Sequence, residues 1–190
     1  MPLESIDSLD AAFTVARAQL TRVEGPFLDY PTPCESWDVR ALVNHMVSAP
    51  RFAANLVAGT RQVDPDDRDF AAGDIVALYN QTADATLEAF GEPGALRRPV
   101  RLPFGERPAA FLMFFVTSDQ FVHAWDLARA AGNSTDIAPR LASELLDEAK
   151  VIVTPEMRGE NGDAAYGPER TAPPGANRAD RLAAFLGRAI

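Results

Sequence analysis

The sequence predicts an all-α protein, and three observations carry that prediction. Apolar residues recur at helical spacing through most of the long stretches of the chain. Proline and glycine concentrate between those stretches rather than within them. Alternation with the period of a strand appears in one short place, at Val100, Leu102 and Phe104, where it suggests a small hairpin arm.

In chain order, helix one is predicted from Ser5 to Val23, with Ser8 or Asp7 as its cap. Leu9, Ala12, Phe13, Ala16 and Leu20 share its apolar stripe. A loop punctuated by Gly25, Pro26, Pro31 and Pro33 leads to helix two, which Asp38 caps and Gly59 ends. Its stripe is Leu42, Val43, Met46, Val47, Ala53, Leu56 and Val57, with His45 beside it in line with Ala41, Ala49 and Phe52. Pro50 lies inside this pattern, so a kink or break is expected one turn after His45. The segment from Thr60 to Ala72 is polar and acidic and is expected as a surface loop.

Helix three is predicted from Asp74 to Phe90, with Ile75, Leu78, Tyr79, Leu87 and Phe90 inward. Pro108 suits the first turn of helix four, which runs from Phe111 to Ala131 and is closed by Gly132-Asn133. The start of helix four is apolar almost all round, which fits either a deep core or a homodimer contact. Helix five is predicted from Ile137 to Thr154, repeating Leu141, Leu145, Ala149 and Ile152. The tail, 155–176, is rich in proline, glycine and charge and is expected as a loop wrapped on the bundle. Asn177 then caps a last short helix docked by Leu182, Phe185 and Leu186.

A length of 190 residues favours one domain over 1–190, with an ample core. A net charge of −9 argues against nucleic-acid or anionic-membrane partners, because no basic patch supplies the electrostatic attraction. No signal peptide or membrane span is expected. One cysteine, Cys34, excludes an intrachain disulfide and fits a reducing cytoplasm. No Walker A loop or GxGxxG is present.

The chemistry-bearing residues concentrate in helix four. Asp119 and His123 lie four residues apart, which turns a helix by about 400° and places both side chains on one face. The chain has two histidines, and the other, His45, sits in helix two. Asp119 shares its stripe with Leu112, Phe115, Val116 and Val122, where a carboxylate is costly unless it is paired or metal-bound. Two readings stay open: a hydrogen-bonded core pair, or a metal site on His45, Asp119 and His123. Three protein ligands leave open positions, the pattern of catalytic rather than structural sites.

Weaker candidates surround this set. Asp126 follows His123 by three residues and is placed either to orient a ligand ring or to pair with Arg129 at the surface. Trp37 and Trp125 read first as core or rim aromatics, and Cys34 as a small buried residue. Met157, Arg158 and Tyr166 face substrate if the tail covers the mouth of the site.

Several pieces are familiar together: TPCESWDVRALVNHM (32–46), LPFGERP (102–108), TSDQFVHAWDLARAAG (117–132), PEMRG, YGPE and DRLAAFLGR (180–188). They resemble actinobacterial DinB-like metal-binding proteins, relatives of the metal-binding domain of mycothiol-dependent maleylpyruvate isomerase. The resemblance implies an up-down-down-up, DinB-like four-helix bundle with short extra helices. It implies a divalent metal, zinc or nickel, on His45, Asp119 and His123, with a mycothiol-type thiol as cosubstrate and a small electrophile as partner. The isomerase is similar but uses Glu where this chain has Asp119, so the shorter arm draws a metal closer to helix four. It also carries a C-terminal domain for which the residues after helix five are too few, so the metal site and thiol chemistry are implied more directly than isomerisation of maleylpyruvate. Trp125 and Arg158 join Asp126 as residues near this site. Two functions follow: a metal-dependent thiol S-transferase or isomerase, or a non-catalytic metal-binding or sensing module.

Overall fold

Local capping chemistry sets where most of the helices begin in the computed structural model, which describes residues 5–35, 37–60, 68–102, 105–160 and 164–190. Helix α1 spans Ile6–Leu20 and is capped by Ser5, whose hydroxyl accepts from the Asp7 amide at 3.2 Å. The cap is therefore Ser5, not Ser8 or Asp7: both of those already lie within the helix. Helix α2 spans Val39–Ala58, capped by the Asp38 carboxylate on the Ala41 amide at 2.8 Å. It ends at Gly59, whose φ of 67° is the left-handed conformation that costs other residues a steric penalty. The helix runs unbroken through Pro50, so the break expected there does not occur. The Pro50 carbonyl accepts from the Thr86 hydroxyl of the next helix at 3.0 Å, and Pro50 itself is buried.

Helix α3 spans Ile75–Gly91, capped by Asp74. Strands β1 (Pro99–Leu102) and β2 (Gly105–Pro108) form the antiparallel hairpin, with Val100 opposite Arg107 and with Val100 and Leu102 turned inward. Phe104 lies outside the described residues, as does 61–67 of the expected acidic loop. The rest of that loop is not wholly at the surface: Phe70 and Ala71 are buried in a single 3-10 turn. Helix α4 spans Ala109–Ala130, α5 Pro139–Ile152 and α6 Arg178–Phe185. Asn177 caps α6 through the Asp180 amide at 2.9 Å.

Helices α1 to α4 form the bundle. Helix α1 packs on α3 and α4, and α2 packs on the same two, so α1 and α2 lie across the bundle from each other. Leu9, Phe13, Leu42, Met46, Tyr79 and Met113 fill the space between them. Helices α5 and α6 pack on each other and cover the far side of α4. A second core forms there around Phe114, Phe121, Trp125, Leu145 and Leu182. Helix α4 is thus enclosed on two sides, which explains why its start is apolar all round: Leu112, Met113 and Val116 feed one core and Phe114 the other. At roughly 25 cal/mol per Å2 of apolar surface buried, a helix covered on both sides contributes substantially to cohesion. No helix among the described residues is long and apolar enough to cross a membrane.

Candidate metal centre

Packing of α2 against α4 brings His45 to the pair that α4 carries by itself. The His45 Nε2 lies 2.9 Å from Asp119 Oδ1, and the His123 Nε2 lies 3.2 Å from the same oxygen. One donor atom from each of the three residues falls within 4.8 Å of the other two. Ligands about 2.1 Å from a tetrahedral or octahedral ion stand roughly 3 to 3.5 Å apart. Two imidazoles and a carboxylate at these separations could hold a divalent ion with positions left open. The hydrogen-bonded pair read from the sequence is thereby a triad that includes His45.

Each member is held from behind. The His123 Nδ1 lies 3.0 Å from Asp126 Oδ2, which fixes the ring so that Nε2 faces the triad. Asp126 is fully buried, and Arg188 donates to both of its oxygens, from Nε at 3.0 and 3.2 Å and from Nη2 at 3.0 Å. Asp126 therefore does not pair with Arg129, which points to solvent. The Asp119 Oδ2 accepts from the Gln120 carboxamide at 3.0 Å, and the Gln120 carbonyl accepts from the Tyr79 hydroxyl at 2.7 Å. The Trp37 ring lies 4.5 Å from the His45 ring and 5.4 Å from the His123 ring, centroid to centroid, and limits the rotation of both.

Charge follows from this geometry. Burial pushes the Asp119 carboxyl up, but His45 and His123 outweigh it and hold it well below the usual carboxylate range. Burial pushes the His123 imidazolium down, but the Asp119 and Asp126 carboxylates raise it to about 9. Burial opposes ionisation of Asp126 as well, and Arg188 with His123 keeps it low. The thiol of Cys34 is pushed up by burial, partly offset by Arg188.

The triad opens onto a cavity of about 1040 Å3. His45 and Asp119 keep 28% and 29% of their side chains exposed, against 6% for His123, so the accessible side of the triad is theirs. Its lining includes the apolar Phe52, Leu112, Phe115 and Val116, and the tail supplies Gly167 and Tyr166, whose ring stacks on Phe115 at 6.1 Å between centroids. Cys34 also lines the cavity, although nothing in its sequence spacing links it to a histidine.

Two sequence candidates lie elsewhere. Trp125 is fully buried in the second core and donates from Nε1 to Asp180 at 2.9 Å, so it faces α6 and not the cavity. Its position two residues after His123 turns it about 200° around the helix. Arg158 ties the tail to α6, donating from Nη1 to the Gly167 and Phe185 carbonyls at 3.1 and 2.8 Å, with its guanidinium over the Phe185 ring. Met157 packs into the second core. Of the tail residues named from sequence, Tyr166 lines the cavity. Sequence reasoning overlooked Trp37 as the platform for both imidazoles, Gln120 and Arg188. The apolar surroundings of Gln120 in helix four were the available signal.

Two proteins of Mycobacterium tuberculosis are similar to the chain: uncharacterized protein MT0763 of strain CDC 1551 and uncharacterized protein Rv0738 of strain H37Rv. Each is 35% identical over 173 residues, covering 91% of this chain and 91% of the relative. No solved structure matches significantly. The family model described as the mycothiol maleylpyruvate isomerase N-terminal domain matches residues 9–128, which hold α1 to α4 almost entirely and all three members of the triad. The chain belongs to the mycothiol maleylpyruvate isomerase N-terminal domain family.

Proposed function

We propose that this protein holds a divalent ion, zinc or nickel, on His45, Asp119 and His123, and serves a mycothiol-type thiol in S-transfer to, or isomerisation of, a small electrophile. The convergence of the three donor atoms at the wall of an open cavity is the observation that supports this reading. Family membership supports the choice of thiol.

A bound divalent ion supplies acidification of a thiol that coordinates it, making the sulfur nucleophilic near neutral pH. The chain's residues provide the rest. Asp126 orients the His123 ring, and Gln120 aims the Asp119 carboxylate. His45, Asp119 and His123 serve as ligands rather than as acids or bases. The apolar wall of Phe52, Phe115 and Val116 takes the hydrophobic part of an electrophile. The volume admits a thiol and a small electrophile side by side. The reaction is placed in the cytoplasm, where such a thiol stays reduced.

The test is thiol consumption by chelator-treated and metal-reconstituted protein, with a mycothiol-type thiol and a panel of small electrophiles. Turnover that requires both metal and thiol, and that is lost in His123→Ala, supports the enzyme. Metal uptake that raises the unfolding temperature without turnover on any electrophile points instead to a metal-binding or sensing module.

A further inference from the structure

We infer that Arg188, carried by the turn after α6, is a positioning residue of the metal centre, acting on His123 through Asp126. The inference rests on the proposed metal reading, and it places part of the centre outside the matched segment 9–128.

Asp126 is a carboxylate with no exposed surface, so its ionised form requires partners. His123 contributes one hydrogen bond, to Oδ2. Arg188 contributes donors to both oxygens, 62 residues away in sequence, and a two-pronged contact of this kind fixes the plane of a carboxylate as well as its charge. With that plane fixed, Oδ2 is held in place for the His123 Nδ1, and Nε2 is left to face Asp119 Oδ1. Without Arg188 the carboxylate keeps the His123 hydrogen bond alone, which does not fix its plane.

The backbone brings Arg188 to this place by a close crossing. Gly187 has φ of 103°, and a Cβ there would lie 2.6 Å from the Gly167 Cα, so neither the conformation nor the space admits another residue without displacement. The Gly187 carbonyl accepts from Arg170 Nε at 2.9 Å, and the Gly167 carbonyl accepts from Arg158 Nη1 at 3.1 Å. The Arg188 amide donates to the Ala183 carbonyl at 2.9 Å. The tail and α6 thus form a frame from which the Arg188 side chain reaches Asp126 of helix α4.

Cobalt(II) titration of the untagged full chain, read by visible absorption and by competition with a chelator, tests this. Arg188→Met is expected to bind cobalt about 10- to 100-fold more weakly, with an altered absorption spectrum and unchanged far-UV circular dichroism. Arg188→Lys, which keeps the charge but not the two-pronged contact, is expected to recover part of the affinity. Asp126→Leu/Arg188→Met removes both charges, so it keeps the test available should Arg188→Met leave Asp126 too costly to fold. It is expected to bind no more weakly than Asp126→Leu alone, because Arg188 acts only through Asp126. Wild-type affinity and spectrum in Arg188→Met or in the double variant overturn the inference while leaving the metal reading intact. A wild-type protein that binds no cobalt overturns both.

Discussion

The His45 Nε2 and the Asp119 Oδ1 lie 2.9 Å apart across 74 residues of sequence, and this contact joins α2 to α4 at the head of the cavity. It turns a local Asp-His pair into a three-residue set. Removal of single members should therefore affect metal binding unequally. Asp119 touches both histidines, so Asp119→Ala is expected to abolish measurable binding, whereas His45→Ala leaves the Asp119–His123 pair and a weaker residual site. Isothermal titration with zinc compares the two.

The metal-free protein should lose stability as pH rises through about 9. The folded pKa of His123 is raised from 6.5 to about 9, so its contribution is complete below 6.5 and lost as pH rises through about 9. That contribution is of the order of a few kcal/mol. The depressed pKa values of Asp119 and Asp126 act at the other end: their contribution is present above 3.8 and lost as pH falls through their lowered folded values. Urea unfolding of chelator-treated protein at about pH 6 and about pH 10 measures the upper limb. His123→Gln should flatten it. The same proton must leave when a metal binds, so zinc uptake at about pH 7 should release protons, seen as a buffer-dependent heat.

Tyr79→Phe tests the support behind Asp119. The variant leaves the Gln120 carbonyl, in a fully buried residue, without its donor, which costs about 1 to 3 kcal/mol of stability. Zinc affinity is expected to fall as well, because Gln120 then loses the anchor that aims its amide at Asp119. Thermal unfolding and zinc titration on the same preparation check both effects.

Trp125→Phe should separate stability from function. It removes the hydrogen bond to Asp180 and some packing in the second core, costing about 1 to 3 kcal/mol, while the Asp126–Arg188 contact keeps its partners. Metal affinity and any turnover should match wild type. A loss of affinity comparable to that of a triad variant would contradict the placement of Trp125 away from the cavity.

The parts legible in the sequence are those governed by local chemistry. Asp38 and Asn177 cap helices because a short polar side chain can reach the amide three residues on, and the apolar period gives the stripes of α1 and α2. Asp119 and His123 are legible as a pair because α4 sets their spacing, and the scarcity of histidine points to His45 as the third member. The remainder depends on contacts that no period encodes. The Tyr79–Gln120 bond spans 41 residues and the Arg188–Asp126 bond spans 62. Trp37 and Trp125 are alike in residue type, yet one covers the imidazoles and the other is sealed beneath α6. No break follows at Pro50, because removing one backbone bond does not end a helix held on both sides by buried neighbours.

Metal content is the most direct measure of the central claim. Untagged protein exposed to zinc or nickel and then dialysed is analysed by mass spectrometry of the elements, beside His45→Ala, Asp119→Ala and His123→Ala. About one divalent ion per chain is predicted for wild type, with marked loss in His123→Ala and nearly none in Asp119→Ala. Wild type without metal, or equal metal in wild type and all three variants, would contradict it.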